Sequence, residues 1–286
     1  MLNTNAKFIW LASYPKSGNT WVRIFLSALL TGKEPDINNL ATNLIISSRQ
    51  LIDATLGFSS SDIPEDDYLF YRTRMYEVYA KAHKQEYILC KVHDACILKG
   101  EVLFTPAITR GTVYILRNPF DMVASTANHH NVSIEQALDY ICSPEHALAN
   151  RRTKLNNQVS QYMGTWSQHL QSWENVHHEN MLLVKYEDLV NDSLQAFSKI
   201  AAYINIPHTK ADVLQAIENA AFQKLQNQEQ KTAIKMAPHV KKFFRSGKVG
   251  GWRNEITTDQ AMRIIDCHYD ALLKHGYIDT AGNILV

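Results

Sequence analysis

The residues from Phe8 to Leu30, FIWLASYPKSGNTWVRIFLSALL, constrain the fold more than any other stretch. The apolar run Phe8–Ala12 has the length of a buried strand and is too short to cross a bilayer. Pro15 and Gly18 then interrupt the run, and apolar residues recur at helical spacing from Trp21 to Leu29. The sequence therefore predicts a strand, a tight loop and an amphipathic helix in succession.

A loop that leads into a helix is suited to bind an anion. The first N–H groups of a helix have no intrahelical partner, and the helix dipole favours negative charge there. Lys16 adds a cation, and Ser17, Asn19 and Thr20 add short polar side chains. The loop differs from the ATP-binding pattern GxxxxGK[ST], because Lys16 precedes Gly18. A strand-to-helix turn with an incidental lysine stays open as the alternative at this point.

The bulk composition limits the remaining possibilities. The chain has 286 residues, of which 45% are hydrophobic and 20% are charged, and no linker-like stretch divides it. We therefore expect a single domain over residues 1–286. The net charge of +1 offers no global field that would favour nucleic acid or a membrane surface. Without a signal-like start or a membrane-length apolar run, we expect no membrane span and a cytoplasmic location. The four cysteines show no CxxC or zinc-like spacing and are expected to be buried thiols.

Further strand-like segments alternate with helical ones. Strands are predicted at Tyr87–Val92, Thr112–Leu116 and Met181–Val184, in addition to the first. Helices are predicted at Tyr68–Lys84, Ser133–Tyr140, Gln158–Trp173, Ser193–Tyr203, Thr209–Leu225 and Thr258–His275, and a polar loop at Phe222–Lys242. This alternation favours βαβ units, and so an α/β fold with a central parallel sheet flanked by helices.

Polar residues follow two of these strands directly, at the edge where ligands bind in open α/β sheets. His93 follows the second strand, and Arg117 follows the third. Ser125 lies eight residues after Arg117 on the next helix, so that both side chains could meet one phosphate. Taken alone, a histidine after a strand such as His93 is more often structural, and Arg117 could equally be a surface ion-pair partner. The later segment FFRSGKVGGWRNEIT, residues 243–257, places basic side chains among glycines that allow close approach of an oxyanion.

Five motifs, taken in order, resemble those of the cytosolic sulfotransferases: YPKSGNTW, KVH, RNPFDMVAS, YEDL and RSGKVGGW. They extend from Tyr14 to Trp252. Members of that family use 3′-phosphoadenosine 5′-phosphosulfate (PAPS) and release adenosine 3′,5′-bisphosphate (PAP). The resemblance implies a P-loop-like phosphosulfate-binding loop after the first strand and a sulfotransferase of the EC 2.8.2 class. RNPFD in place of the animal-type RNAKD implies a bacterial or otherwise distant branch.

The resemblance also implies a role for each matching residue. It implies His93 as the catalytic base, Lys16 at the bridging oxygen and Lys91 on the sulfate side. It implies the following cofactor-binding residues: Lys16, Ser17, Gly18, Asn19, Thr20, Trp21, Arg117, Ser125, Tyr186, Phe222, Arg245, Ser246 and Gly247. Among these, Trp21 and Phe222 are expected to stack on adenine, and Tyr186 to lie near its amino group. The 3′-phosphate clamp is expected to consist of Arg117, Ser125, Arg245 and Gly247.

Sulfuryl transfer should resemble phosphoryl transfer, an in-line displacement that depends on positioning and charge stabilisation. A sulfuryl group carries less charge than a terminal phosphoryl group, so we expect no metal requirement. Three departures from the family pattern stand out. Ser246 replaces a common lysine, Ala220 replaces a threonine found in some members, and the usual dimerisation segment is absent, which leaves the oligomeric state open.

Two other functions fit parts of the pattern: an ATP- and Mg²⁺-dependent kinase-like phosphotransferase, and a catalytically silent PAP-binding protein. For a sulfotransferase we expect a small-molecule acceptor such as a phenol, an alcohol, a sugar or a natural product. The acceptor pocket is expected in the loops Asn38–Tyr79, Asn128–Leu155 and Gln226–Lys242. Aromatic residues around Tyr68–Tyr79 suit a hydrophobic acceptor, whereas His129, His130, Arg151 and Arg152 suit a polar or acidic one.

Overall fold

The computed structural model describes residues 7–42, 44–64, 67–150, 155–232, 234, 240 and 242–286, with the backbone alone at 68–70. The strands are β1 (Phe8–Ala12), β2 (Ile88–Val92), β3 (Ile97–Leu98), β4 (Glu101–Val102), β5 (Thr109–Leu116), β6 (Ala147–Leu148), β7 (Gln161–Tyr162) and β8 (Met181–Lys185). The main sheet has the strand order β2-β1-β5-β8. Two short pairs, β3-β4 and β6-β7, are antiparallel.

β1 is an inner strand of the main sheet and pairs in parallel with β2 on one side and β5 on the other. Phe8 lies opposite Ile88, and Ala12 lies opposite Val92. Every residue of β1 and of β5 is buried. Strands covered on both faces are typical of parallel α/β sheets, so the predicted fold class is confirmed.

Among the described residues, three α-helices lie between β1 and β2, three between β5 and β8, and five after β8. They are α1 (Asn19–Thr31), α2 (Arg49–Leu56), α3 (Tyr68–Ala82), α4 (Pro119–His130), α5 (Ile134–Cys142), α6 (Trp166–His177), α7 (Tyr186–Asn191), α8 (Ser193–Ile204), α9 (Lys210–Asn219), α10 (Phe222–Lys231) and α11 (Thr258–Lys274). α1 ends at Gly32, whose backbone is left-handed and whose N–H donates to the Ala28 carbonyl. A left-handed glycine after the last turn is a common way for a helix to end.

Two helix predictions are wrong in their extent. The helix predicted over Gln158–Trp173 begins only at Trp166, because Thr165 and Gln168 form a capping box there and Gly164 has a φ of +62°. The helix predicted over Thr209–Leu225 is divided into α9 and α10, because Ala221 has extended backbone angles. The first half of the predicted polar loop, residues 222–242, is therefore helical.

The chain divides into two compact units. The first comprises Met1–Tyr14, Leu44–Tyr114 and Pro144–Leu183, and the second comprises Pro15–Asn43, Ile115–Ser143 and Val184–Val286. The single-domain organisation stays a prediction. Cys90 and Cys96 are buried as expected, whereas Cys142 is half-buried and Cys267 is exposed. In the described part of the chain, no helix combines the length and apolar character needed to cross a bilayer.

Candidate functional site

The N-terminus of α1 is the centre of the second unit's candidate site. Gly18 caps this helix with a φ of +101°, and its carbonyl accepts the N–H group of Trp21 at 2.9 Å. A Cβ atom at Gly18 would lie 2.6 Å from Cδ2 of Tyr186. Only glycine fits here, because the backbone is left-handed and the Tyr186 ring fills the space of a side chain.

Arg117 lies on the other side of the same tyrosine. Its guanidinium carbon is 4.3 Å from the centre of the Tyr186 ring. Its Nη1 donates to the Lys16 carbonyl at 3.2 Å, and its Nη2 donates to the Lys248 carbonyl at 3.4 Å. The side chain is buried, and its Nε has no hydrogen-bond partner among the described residues. Such a buried donor is costly to leave unsatisfied and fits an anionic ligand.

Lys16 brings a second positive charge to this place. Its Nζ lies 4.3 Å from the centre of the Phe243 ring and 3.4 Å from Nδ1 of His129. Burial, assisted by the positive charges of Arg117 and Arg245, lowers the pKa of Lys16 to about 8, and Glu229 opposes that shift. A bound anion would reverse the lowering, since an opposite charge favours the ammonium form.

Two buried carboxylates hold the segments that carry these cations. Asp121, in the first turn of α4, accepts the backbone N–H groups of Gly250 at 2.8 Å and Trp252 at 2.9 Å. Glu187 accepts the Asn118 backbone N–H at 3.0 Å and its side-chain amide at 2.6 Å. Sequence reasoning assigned neither acid a role, although both follow a strand within the motifs RNPFD and YEDL.

The glycine-rich segment contributes a second close contact. A Cβ atom at Gly247, where φ is +68°, would lie 2.7 Å from Cδ2 of Phe222. The structure thus brings these two predicted residues together. Arg245 forms a two-pronged ion pair with Glu255, at 2.7 and 3.0 Å. Ser246, the predicted departure from lysine, is half-buried.

Trp21 lies on α1 with its ring edge-on to Tyr186, at a centroid distance of 5.9 Å. Its indole N–H donates to the Ala220 carbonyl at 2.9 Å. Ala220 therefore contributes through its backbone, which a threonine would also supply. The other predicted residues of the loop and of α4 lie in the same unit: Ser17 and Asn19 are buried, and Thr20 and Ser125 are half-buried.

His93 and Lys91 belong to the first unit. Lys91 is in β2, and its backbone N–H donates to the Leu44 carbonyl at 3.1 Å. Nδ1 of His93 lies 2.9 Å from the Ser13 carbonyl and 3.3 Å from the Ser13 hydroxyl. Because a carbonyl only accepts hydrogen bonds, Nδ1 is the protonated nitrogen, and the lone pair is at Nε2.

A buried histidine fixes the backbone at this strand end. Nε2 of His169 donates to the His93 carbonyl at 3.0 Å, and the Tyr114 hydroxyl donates to its Nδ1 at 2.8 Å. Burial lowers the pKa of His169 to about 4, so the ring is neutral near pH 7. Sequence reasoning missed His169, because an isolated histidine within a helical pattern carries no distinguishing signal.

The residue after His93 is fixed by a buried ion pair. Asp94 lies 2.8 Å from the Arg72 guanidinium, and both side chains are almost fully buried. Burial raises the pKa of Asp94, and the Arg72 charge opposes that shift. Nε of Arg72 also donates to the Tyr76 hydroxyl at 2.8 Å, and Trp173 donates to the Asp94 carbonyl at 3.0 Å. The backbone of residues 93 and 94 is thus held by side chains from α3 and α6.

A mostly parallel sheet flanked by helices, with a cation-bearing loop between its first strand and α1, defines the class of this chain, an α/β protein with a P-loop-like fold. The sulfotransferase-domain family model matches residues 7–276. The chain therefore belongs to the sulfotransferase family, and the family predicted from the five motifs is confirmed.

Several relatives agree with this assignment. The chain is 23% identical to a flavonol 3-sulfotransferase of Flaveria bidentis, over 90% of this chain and 78% of the relative. It is 24% identical to sulfotransferase 1A1 of Rattus norvegicus, over 91% and 82%. Among solved structures, retinol dehydratase in complex with androsterone and the inactive cofactor PAP superposes with a TM-score of 0.61 at 19% identity, over 95% of this chain and 82% of that one. Mouse sulfotransferase SULT7A1 complexed with PAP gives 0.56 at 18% identity, over 93% and 84%. These structures show the shared fold.

Proposed function

We propose that this chain transfers the sulfuryl group of PAPS to a hydroxyl or amine of a small-molecule acceptor, with His93 as the general base. The observation that carries the proposal is the cation cluster at the N-terminus of α1. There, Lys16 has a lowered pKa and Arg117 has a buried Nε without a partner among the described residues. Both features suit a ligand with phosphate groups.

The second unit has cationic residues for the phosphate and sulfate groups of PAPS and aromatic residues for its adenine. We assign the phosphosulfate to the loop of Lys16 and Gly18, and the 3′-phosphate to Arg117 with Ser125, Arg245 and the Gly247 segment. Trp21, Tyr186 and Phe222 are the aromatic residues assigned to the adenine. Arg245 is already paired with Glu255, so Arg117 is expected to carry most of the recognition of the 3′-phosphate. The absence of a metal requirement stays a prediction.

When bound, PAPS would supply the sulfuryl group together with a phosphate leaving group. His93 would accept the acceptor's proton at Nε2, the nitrogen that its contact with Ser13 leaves unprotonated. Lys16 and the first N–H groups of α1 would stabilise negative charge at the phosphate. Lys91 is assigned to the sulfate side on the resemblance of KVH to the family motif.

For the acceptor we propose a small molecule with a hydroxyl group. The names of two relatives refer to a flavonol and to a 3-alpha-hydroxysteroid, both of which are hydroxyl compounds. Of the predicted acceptor-loop residues, Arg151 and Arg152 lie outside the described residues, as do the side chains of residues 68–70. The cytoplasmic location and the oligomeric state stay predictions.

Thermal unfolding in the presence of nucleotides tests the cofactor. A ligand that binds only the folded state raises the melting temperature. We expect a clear rise with PAP, a smaller rise with adenosine 5′-phosphosulfate, and none with ATP plus Mg²⁺. A rise with ATP plus Mg²⁺ and none with PAP would favour the kinase-like alternative. Release of PAP from PAPS in the presence of phenols, steroid alcohols and amines would then identify the acceptor class, and PAP binding without any turnover would favour the silent binding protein.

A further inference from the structure

His129 lies in the last turn of α4, next to the lysine assigned to the phosphosulfate. Its Nδ1 is 3.4 Å from Nζ of Lys16. Its ring packs edge-on against Phe243, at a centroid distance of 6.0 Å and an angle of 79°. The Lys16 ammonium lies over the same Phe243 ring. The position of this ammonium is therefore defined by an imidazole nitrogen and an aromatic face.

Burial and two neighbouring guanidinium groups disfavour the charge of this ammonium, and Glu229 favours it. The charged and titratable groups around the pair are Arg117, Arg245, Glu229 and, beside His129 on α4, His130. The two guanidinium groups repel the ammonium. Both oxygens of Glu229 accept backbone N–H groups, from Phe243 and Phe244. The Lys16 ammonium instead donates to Nδ1 of His129.

We propose, on the basis of the function above in which Lys16 contacts the phosphosulfate, that His129 is a positioning residue that holds the Lys16 ammonium ready for the bound anion. An ammonium only donates hydrogen bonds, so Nδ1 of His129 accepts and Nε2 carries the proton. A carboxylate in this place would also hold the lysine, but it would cancel the charge that the anion requires. A neutral imidazole fixes the direction of the Lys16 ammonium and leaves its positive charge uncompensated for the anion.

The proposal has a measurable consequence on the alkaline side of neutrality, where histidine side chains are ordinarily neutral. A hydrogen bond accepted from the charged form favours that form. His129 therefore keeps Lys16 protonated to a higher pH than the buried, cation-rich surroundings would allow. Without it, the ammonium should lose its proton at lower pH, and anion binding should weaken there.

The test is the dissociation constant of PAP, measured by titration calorimetry between about pH 7 and about pH 10. In the wild type we expect the affinity to fall as the pH rises through about 8. His129→Phe keeps a ring against Phe243 but has no acceptor, so its affinity should start to fall about one pH unit lower, and at pH 8 its binding should be roughly fivefold weaker. His129→Asn, whose Oδ1 lies at the same distance along the side chain as Nδ1 of histidine, restores an acceptor and should move the fall back. Lys16→Met, which has no ammonium group, should abolish the fall of PAP affinity with pH.

The outcomes distinguish a failure of the proposed function from a failure of the proposed role of His129. If the wild type binds no PAP, the proposed function is wrong. If PAP binds and the fall occurs at the same pH in the wild type and in His129→Phe, His129 does not hold Lys16. A second readout needs no nucleotide: the pKa of the Lys16 amine, followed by NMR, should be lower in His129→Phe than in the wild type and His129→Asn. Should His129→Phe fail to fold, His129→Leu, which also lacks an acceptor, replaces it in both measurements.

Discussion

Replacement of Gly18 by alanine would place a methyl carbon 2.6 Å from Cδ2 and 3.1 Å from Cε2 of the Tyr186 ring. The ring has little room to move, because Tyr186 is buried and the Arg117 guanidinium lies 4.3 Å from its centre. Overpacking of this kind costs about 1–3 kcal/mol. The left-handed backbone of Gly18 adds about 1–2 kcal/mol for a residue with a Cβ atom. We therefore expect Gly18→Ala to lower the free energy of unfolding by about 2–5 kcal/mol.

Gly32→Ala is a matched control at the other end of α1. Gly32 has a φ of +65°, but a Cβ atom there would meet nothing within 4 Å. Gly32→Ala should therefore cost only the contribution of the left-handed backbone, about 1–2 kcal/mol. The difference between the two variants isolates the contact with Tyr186, and urea-induced unfolding followed by tryptophan fluorescence measures it.

A double-mutant cycle identifies the neighbour responsible. Tyr186→Leu removes the ring, so Gly18→Ala should cost less by about 1 kcal/mol or more in that background than in the wild type. The reasoning would be refuted by equal losses of stability in Gly18→Ala and Gly32→Ala, or by strict additivity in the cycle.

His93→Ala should lower turnover by about 10²-fold or more while PAP binding changes little, because the base acts only on the acceptor proton; loss of both in calorimetry and steady-state kinetics would show that His93 is structural. Arg117→Ala should weaken PAP by about tenfold or more, and adenosine 5′-monophosphate much less, because the guanidinium is assigned to the 3′-phosphate; equal weakening would remove it from that role. His169 has a folded-state pKa of about 4 against an ordinary 6.5, so the unfolded chain takes up a proton first and stability is lost as the pH falls from about 6.5 to about 4. His169→Gln should make that part of the stability profile less steep in urea titrations, and an unchanged slope would contradict the assignment.

The local chemistry of the first motif was sufficient to predict its structure. An apolar pentapeptide, a loop with Gly18 and an amphipathic helix are encoded within about twenty residues, and β1 begins and ends where predicted. The resemblance supplied the residues that approach one another in the second unit, such as Gly247 and Phe222. Whether they contact the cofactor as assigned stays a prediction.

Contacts between distant parts of the chain could not be predicted in the same way. The roles of Asp121 and Glu187 depend on backbone N–H groups that lie far away in the sequence, and hydrogen bonds to backbone leave no residue pattern. The break between α9 and α10 was missed because Ala220 and Ala221 are good helix formers, and local geometry overrides their propensity there.

The hydrogen bonds of the Asp121 carboxylate determine how late in synthesis this part of the structure can be completed. Its partners Gly250 and Trp252 follow 129 and 131 residues later. At synthesis rates of about 5–20 residues per second, they leave the ribosome roughly 6–26 s after it. Until then the first turn of α4 lacks two of its hydrogen-bond donors, so a nascent chain that already contains Lys16 and Arg117 has only part of its anion site. Nucleotide capture should therefore be one of the last abilities that the growing chain acquires.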